Sequence, residues 1–412
     1  MRRSLKAIAL LVGAIFVAPS EAAADEWEFS GEIAGEFRYF PEPAQFPSQF
    51  DHWQPSLTIQ PDFRWQSDNG KHQIVVIPFA RLDAQDDERT HVDLREGYYR
   101  YISESDWTLL IGAAKVFWGT VESRHLVDII NQTDSVEDID EEDKLGQPMI
   151  KLSLLKEWGQ LDLFVLSGFR TRTFPGIDGR LRFALPADIE NPIFERDDRR
   201  GAVDYAARYS NFFGNWDVGL SVFHGTSREP RLTIALAADR LFPVYDRITQ
   251  GSIDVQYTTG AWLWKGEAIV RGGQGETFFA SVAGFEYTLY QVFGKPWDLG
   301  LLAEYLYDGR DDGFITESFG LTTDAPFTAF QNDVFTGARL AFNDTQDTSM
   351  LAGISVDAED QSLSMLIEAE RRLGQNWTAE LESRLFFNVD PGNLADALRD
   401  DDFLTFRLTR YF

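Results

Sequence analysis

The sequence predicts an all-β fold, a closed antiparallel barrel of about eighteen strands crossing a membrane. Three observations carry that expectation. Apolar and charged side chains alternate with a period of two in segment after segment, short turns and long connections alternate along the chain, and tryptophans stand beside the short turns. The composition allows it. With 44% hydrophobic and 25% charged residues and a mean hydropathy of -0.26, no stretch of the mature chain is an apolar run long enough for a spanning helix, whereas a barrel strand needs an apolar residue only at every second position.

The chain begins with Arg2, Arg3 and Lys6 ahead of an uncharged run, Ala7 to Ala18, and then Ala22-Ala23-Ala24. A basic start, a short apolar run and small residues at a cleavage point describe a secretory signal over residues 1–24, leaving 25–412 as a single exported barrel domain. The 412 residues include no cysteine, which excludes disulfides, thiolate catalysis and cysteine metal sites. A net charge of -28, with no cluster of Lys and Arg, argues against nucleic acid as a partner.

The first mature segment sets the period: Trp27, Phe29, Ile33, Phe37 and Tyr39 share one parity, and Glu28, Ser30, Glu32, Glu36 and Arg38 the other. By the same reading strands fall near 26–40, 53–67, 72–83, 92–101, 107–117, 147–156, 160–168, 201–211 and 216–225. The second half adds 247–258, 261–271, 277–291, 297–308, 331–343, 348–357, 361–372, 376–388 and 402–412. Charged side chains are thus expected on a wet inner face along all of them.

The turns are Ser67-Asp68-Asn69-Gly70, Trp158-Gly159, Phe213-Gly214-Asn215, Thr259-Gly260, Gly294-Lys295-Pro296 and Gly374-Gln375-Asn376, whose chemistry suits tight hairpins. Between them come longer connections, 118–146, 169–200, 226–246 and 309–330, with short exceptions near 272–276 and 358–360. With both termini on one side, the short turns gather there and the long loops gather opposite. Trp107, Trp158, Trp216, Trp262, Trp297 and Trp377 sit where an interfacial belt is wanted. Pro61 and Pro78 fall inside predicted strands, and since a closed barrel has no free edge, each requires a bulge or an interruption.

A resemblance follows from two stretches. The alternating end Leu404, Phe406, Leu408 and terminal Phe412 looks like the signal by which Gram-negative outer-membrane barrels are recognised for assembly, with Arg410 a departure from it. Gly112 to Gly119, closing in Trp118-Gly119, and then Asp128-Ile129-Ile130-Asn131-Gln132-Thr133-Asp134 resemble porin-like outer-membrane barrels of largely unknown function, in which the Trp-Gly closes a strand and a proline stands where this chain has Gln132. The resemblance implies an outer-membrane location, lipid and lipopolysaccharide around the barrel, the barrel-assembly machinery as a partner through Phe412, and a small solute as cargo. It fixes no oligomeric state.

Eighteen strands enclose a lumen too wide for wall side chains alone to fill. The inward parity offers both signs as candidate pore lining: Glu32, Glu36, Glu368, Glu370, Glu380 and Glu382 against Arg38, Arg208, Arg339, Arg372, Arg384 and Arg407. Such a wall either orients a polar solute in a transverse field or simply pairs its charges across strands. The connection 118–146 is the candidate constriction, with Glu122, Arg124, Asp128, Asn131 and Asp134 as its site residues; its acidity favours cations if it folds inward.

The run Glu137 to Asp143 lacks the spacing and glycine of a calcium loop, so no metal and no cofactor is implied. Five scattered histidines, with His125 near Asp128 the one local pair, give no catalytic motif. The expectation is a non-enzymatic, porin-like channel for passive or weakly selective diffusion of small polar or amphipathic solutes. Alternatives are a transporter for a hydrophobic compound or acidic polymer, a barrel enzyme, and a loop-plugged structural or surface-binding barrel.

Overall fold

The computed structural model describes residues 26–235, 239–310, 330–389 and 394–412; the expected signal 1–24 and most of the 309–330 connection lie outside the described residues. The first half of the barrel comprises β1 (Glu26–Tyr39), β2 (Trp53–Gln66), β3 (His72–Asp83), β4 (His91–Ile102), β5 (Trp107–Ala114), β6 (Gln147–Lys156), β7 (Gly159–Ser167), β9 (Val203–Phe213) and β10 (Trp216–Thr226). The second half comprises β13 (Arg247–Thr259), β14 (Trp262–Gly272), β15 (Phe278–Val292), β16 (Trp297–Asp308), β17 (Asn332–Ala341), β18 (Ser349–Asp357), β19 (Leu363–Leu373), β20 (Trp377–Phe387) and β21 (Phe403–Tyr411). Three short strands lie in the long loops: β8 (Ile193–Phe194), β11 (Arg231–Ala235) and β12 (Arg240–Tyr245) form a separate small sheet above the barrel. That sheet stands where plain connections were expected.

Each barrel strand pairs antiparallel with the next, and β1 closes the ring on β21 from Glu32↔Tyr411 to Tyr39↔Leu404. The terminal residue extends the seam, because the Phe412 amide donates to Gly31 O at 3.0 Å and Gly31 N donates back to Phe412 O at 3.1 Å. The Phe412 ring rests 5.6 Å from that of Phe29. A side chain at Gly31 would meet Pro61 and the Phe412 ring within 3 Å, so glycine is needed for this close approach.

Outside, large apolar side chains are exposed strand after strand, among them Phe29, Ile33 and Phe37 in β1, Leu220 and Val222 in β10, and Leu404 and Phe406 in β21. A continuous apolar girdle of this kind is stable against lipid and not against water. At its short-turn rim Trp107 packs on Tyr101, Trp158 on Tyr209, Trp216 on Tyr257 and Trp262 on Tyr287.

The two awkward prolines resolve as one feature. Pro61 and Pro78 lie opposite each other, where the β2–β3 ladder breaks between Ile59↔Ala80 and Phe63↔Val76, and β3 slips register against β4 at Ile77/Pro78. Their missing donors face the same gap. The expected strand 107–117 is shorter than predicted: Asn131 donates to Ala114 O and accepts from Val116 N, both at 2.8 Å, turning the chain out of the ladder after Ala114. Trp118-Gly119 therefore closes no strand; the Trp118 indole is buried inside the lumen, edge-on to Phe164 at 5.6 Å.

The inner face is not charged along all strands, which corrects a second expectation. Phe164 and Leu166 of β7, Phe223 of β10, Ile248 of β13, Ile269 of β14, Phe278 and Val282 of β15 and Leu306 of β16 point inward and form an apolar core with Trp118, Val121, Leu126, Val127, Ile129 and Ile130. The physical reason is that a segment folded into the lumen covers this wall, and a covered wall is an interior.

Candidate functional site: a lumen narrowed by an infolded loop

The segment between β5 and β6 enters the barrel, and its path is fixed by polar anchors at each turn. Asn131 is the first staple: besides Ala114 O it donates to Leu145 O at 2.9 Å, joining the entry and exit of the loop. Two wall carboxylates then receive loop amides. Glu267 accepts from Thr120 N at 2.7 Å, Val121 N at 3.3 Å and Val127 N at 3.2 Å. Glu304 accepts from Glu122 N at 2.9 Å, Ser123 N at 2.8 Å and Ser123 Oγ at 2.6 Å. A carboxylate offers about four acceptor sites, so each replaces several backbone partners that the irregular loop cannot supply for itself. Beside them Arg124 pairs with Asp308 at 3.0 Å, and Glu122 pairs with Arg339.

The acidic second half of the loop crosses to the opposite side and meets arginines. Asp134 binds Arg95 at 2.5 Å and accepts from Thr173 Oγ1 at 2.7 Å; Glu137 binds Arg81 at 2.6 Å, and Asp138 binds Arg38 at 2.6 Å. Asp140 reaches Arg384 at 3.2 Å, and Glu141 pairs with Arg172. Burial alone would raise the carboxyl of Asp134, but His91 and Arg95 outweigh it and hold it well below the usual range; against burial, Arg38 and Arg384 lower that of Asp138. Asp143 contrasts with them: burial, reinforced by Glu137, pushes its carboxyl up to about 6. Burial and then Asp138 raise Asp140.

His91, Asp134 and Glu137 bring potential metal-ligating atoms together. However, Arg95 and Arg81 already neutralise the two carboxylates at 2.5 and 2.6 Å, and a metal ion would sit against fixed positive charge. The trio reads as part of the ion-pair network.

With the loop held against β7 to β16, open space remains along β17 to β20. A cavity of about 420 Å³ there is bordered by Glu122, Arg124, Asp128 and Asn131 of the loop and by Phe335, Leu351, Leu366, Glu368 and Arg384 of the wall. A second space of about 150 Å³ lies among Glu36, Arg38, Glu380, Glu382 and Arg407. Glu32 borders this group through Arg407 at 3.3 Å.

The remaining expected residues lie apart from both cavities. Arg208 is locked to Asp254 at 2.5 Å and covered by Trp118, Arg339 is held by Glu122, and Arg372 pairs with Asp347 at 2.6 Å near the short turns. Glu370 stands directly opposite Glu380, as Glu368 does opposite Glu382, so like charges oppose each other across β19 and β20. Asp134 is wholly buried and anchors the loop.

Sequence reading missed Arg81, Arg95, Glu267 and Arg89, which donates to Val136 O at 2.8 Å, as anchors. Arg81 and Glu267 have the inward parity and were open to detection. Arg95 was hidden, because the slip at Pro78 re-phases β4: Arg95 is buried on the odd parity, while Arg100 bonds the inward Gln73 on the even one.

No family model matches the chain, and no curated protein matches it. Solved structures do. Over 94% of this chain and 98% of that one it is similar to Pseudomonas aeruginosa OpdQ, at 11% identity and a TM-score of 0.51. Pseudomonas aeruginosa OpdO aligns over 94% and 96% of the two chains at 9% identity and a TM-score of 0.53. A BenF-like porin from Pseudomonas fluorescens aligns over 93% and 98% at 9% identity and 0.50. At such identities the likeness is one of fold.

Proposed function

We propose that this chain is an outer-membrane channel of a Gram-negative bacterium, through which small polar or amphipathic solutes diffuse passively or with weak selectivity. The loop 118–146 sets its bore. One observation carries the reading: the infolded loop packs its apolar half on β7 to β16 and ties its acidic half to arginines of β1, β3, β4 and β20, yet leaves a cavity of about 420 Å³ bordered by β17 to β20. A plug would fill that space. The exposed apolar girdle supports the lipid and lipopolysaccharide surroundings, and the seam made by Phe412 suits a chain delivered to the barrel-assembly machinery by its last strand. The BenF-like relative in fold is called a porin, which agrees.

In this reading Glu368, Arg384, Glu122, Arg124 and Asp128 line the main path. Glu32, Glu36, Arg38, Glu380, Glu382 and Arg407 form a mixed-charge flank that orients passing dipoles. The geometry favours passage over catalysis. His125 has its Nε2 3.9 Å from Glu142, and its Nδ1 has no hydrogen-bond partner among the described residues, so no third group orients it as a base. Current through planar bilayers containing the refolded protein tests the reading; a protein that inserts and carries none overturns it.

A further inference from the structure

The open wall carries a polar head above an apolar floor. Asp333 and Asp357 are register partners across β17 and β18, and both border the main cavity together with Ser355, which lies one inward position below Asp357. Asp333 is 4% exposed and Ser355 8%, yet Asp333 Oδ2 and Ser355 Oγ have no hydrogen-bond partner among the described residues. Asp357 is held in place, since its Oδ1 accepts from Glu359 N at 2.7 Å and Asp360 N at 3.1 Å. Two buried oxygens without donors, beside a second carboxylate, form an acceptor set that lacks its donor.

Immediately below, the Phe335 ring lies flat across Gly353: a side chain there would stand 2.5 Å from the ring. Leu351 and Leu366 continue this surface along the same cavity. The floor is smooth because glycine leaves room for the ring.

We infer that this wall is a recognition subsite for an amphipathic amine, with Asp333, Asp357 and Ser355 receiving its primary ammonium and Phe335, Leu351 and Leu366 its apolar body. The inference rests on the channel reading for its biological sense and on its own geometry for binding. A primary ammonium has three donors for these acceptors and carries the charge the two carboxylates call for. A hard divalent cation would want six or more oxygens and would gain nothing from the floor.

The test uses the full-length protein, with phenethylammonium as probe and phenylacetate, ethylammonium and calcium as comparisons. Calorimetry in detergent micelles reads binding, and block of potassium chloride current in planar bilayers reads occupancy of the path. Phenethylammonium is expected to bind about tenfold more tightly than either organic comparison, and Asp333→Asn to weaken it about tenfold. Gly353→Ala, which pushes the Phe335 ring off the floor, should weaken phenethylammonium and leave ethylammonium as it was.

Equal binding of phenylacetate, indifference to Asp333→Asn, or displacement of the probe by calcium alone overturns the inference. Binding in micelles that depends on Asp333 supports the subsite even where no current is seen, which would instead defeat the channel reading.

Discussion

Two stretches of the lumen wall are built on opposite principles. From β7 to β16 the inner face is an apolar core, completed by Trp118, Leu126 and Ile130 of the infolded loop and secured by Glu267 and Glu304. From β17 to β20 the inner face keeps charges beside the apolar Phe335, Leu351 and Leu366, with Glu368 opposite Glu382 and Glu370 opposite Glu380, and borders open space. A wall that is covered pays for polar groups and so is apolar except where a carboxylate anchors the cover or where charges pair with each other, as Arg208 does with Asp254; a wall that is wet tolerates even like charges face to face. The same barrel is therefore protein interior along one stretch of its wall and conduit along another.

The largest way to break this contrast is to remove the cover. Replacing 119–143 by a short glycine linker should raise single-channel conductance severalfold and lower the unfolding temperature, since it wets the Phe164, Phe223 and Phe278 surface; unchanged conductance would mean that the loop does not set the bore. Next comes the staple. Asn131→Ala deletes three buried hydrogen bonds and should cost about 2–4 kcal/mol, read by thermal unfolding, with current noise from a freed loop. Glu304→Gln keeps the shape but loses acceptor capacity for Glu122 N and Ser123. A loss of about 1–2 kcal/mol is expected, with normal barrel content by circular dichroism.

A smaller effect is set by pH. Asp143 has a folded value of about 6, above the unfolded ~3.9, so ionising it works against the infolded loop. Loop stability should rise as pH falls from about 6 towards about 4. Asp134 and Asp138, held low, act in the other sense: their contribution is complete above ~3.9 and is lost as pH falls below it. Current noise should therefore be least near pH ~4–5, and Asp143→Asn should reduce the upper limb, to which the raised Asp140 also contributes, and leave the acid limb. The smallest expected effect is on the wet wall. Glu368→Gln removes a half-exposed, screened charge and should shift the reversal potential in a salt gradient by only a few millivolts towards anions.

Much of the barrel was legible because its period is local: a strand wet on one face and in lipid on the other declares both faces in its own residues. Strand number, side of the termini and the tryptophan rim all follow from that. The covered wall was legible only in part. Phe278 to Ala280 and Leu163 to Leu166 are apolar on both parities near the loop side, which is the mark of a strand buried on two faces, but alternation elsewhere masked it. The partners of the acidic run could not be read at all, since Arg38, Arg81, Arg172 and Arg384 come from four distant segments brought together by closure. The slip at Pro78 hid Arg95 for a different reason, because it changes which parity means inside.

The facing of Pro61 and Pro78 has a mechanical consequence. In a hoop of strands every ladder bears the same circumferential load, and the hoop is as strong as its least bonded joint. Bringing Pro61 and Pro78 face to face concentrates two missing donors in the β2–β3 joint, where the ladder is interrupted, and makes it the hinge at which the cylinder gives first. Amide exchange should enter there, at Ile59 to Phe63 and Val76 to Ala80, before it enters the seam closed by Phe412.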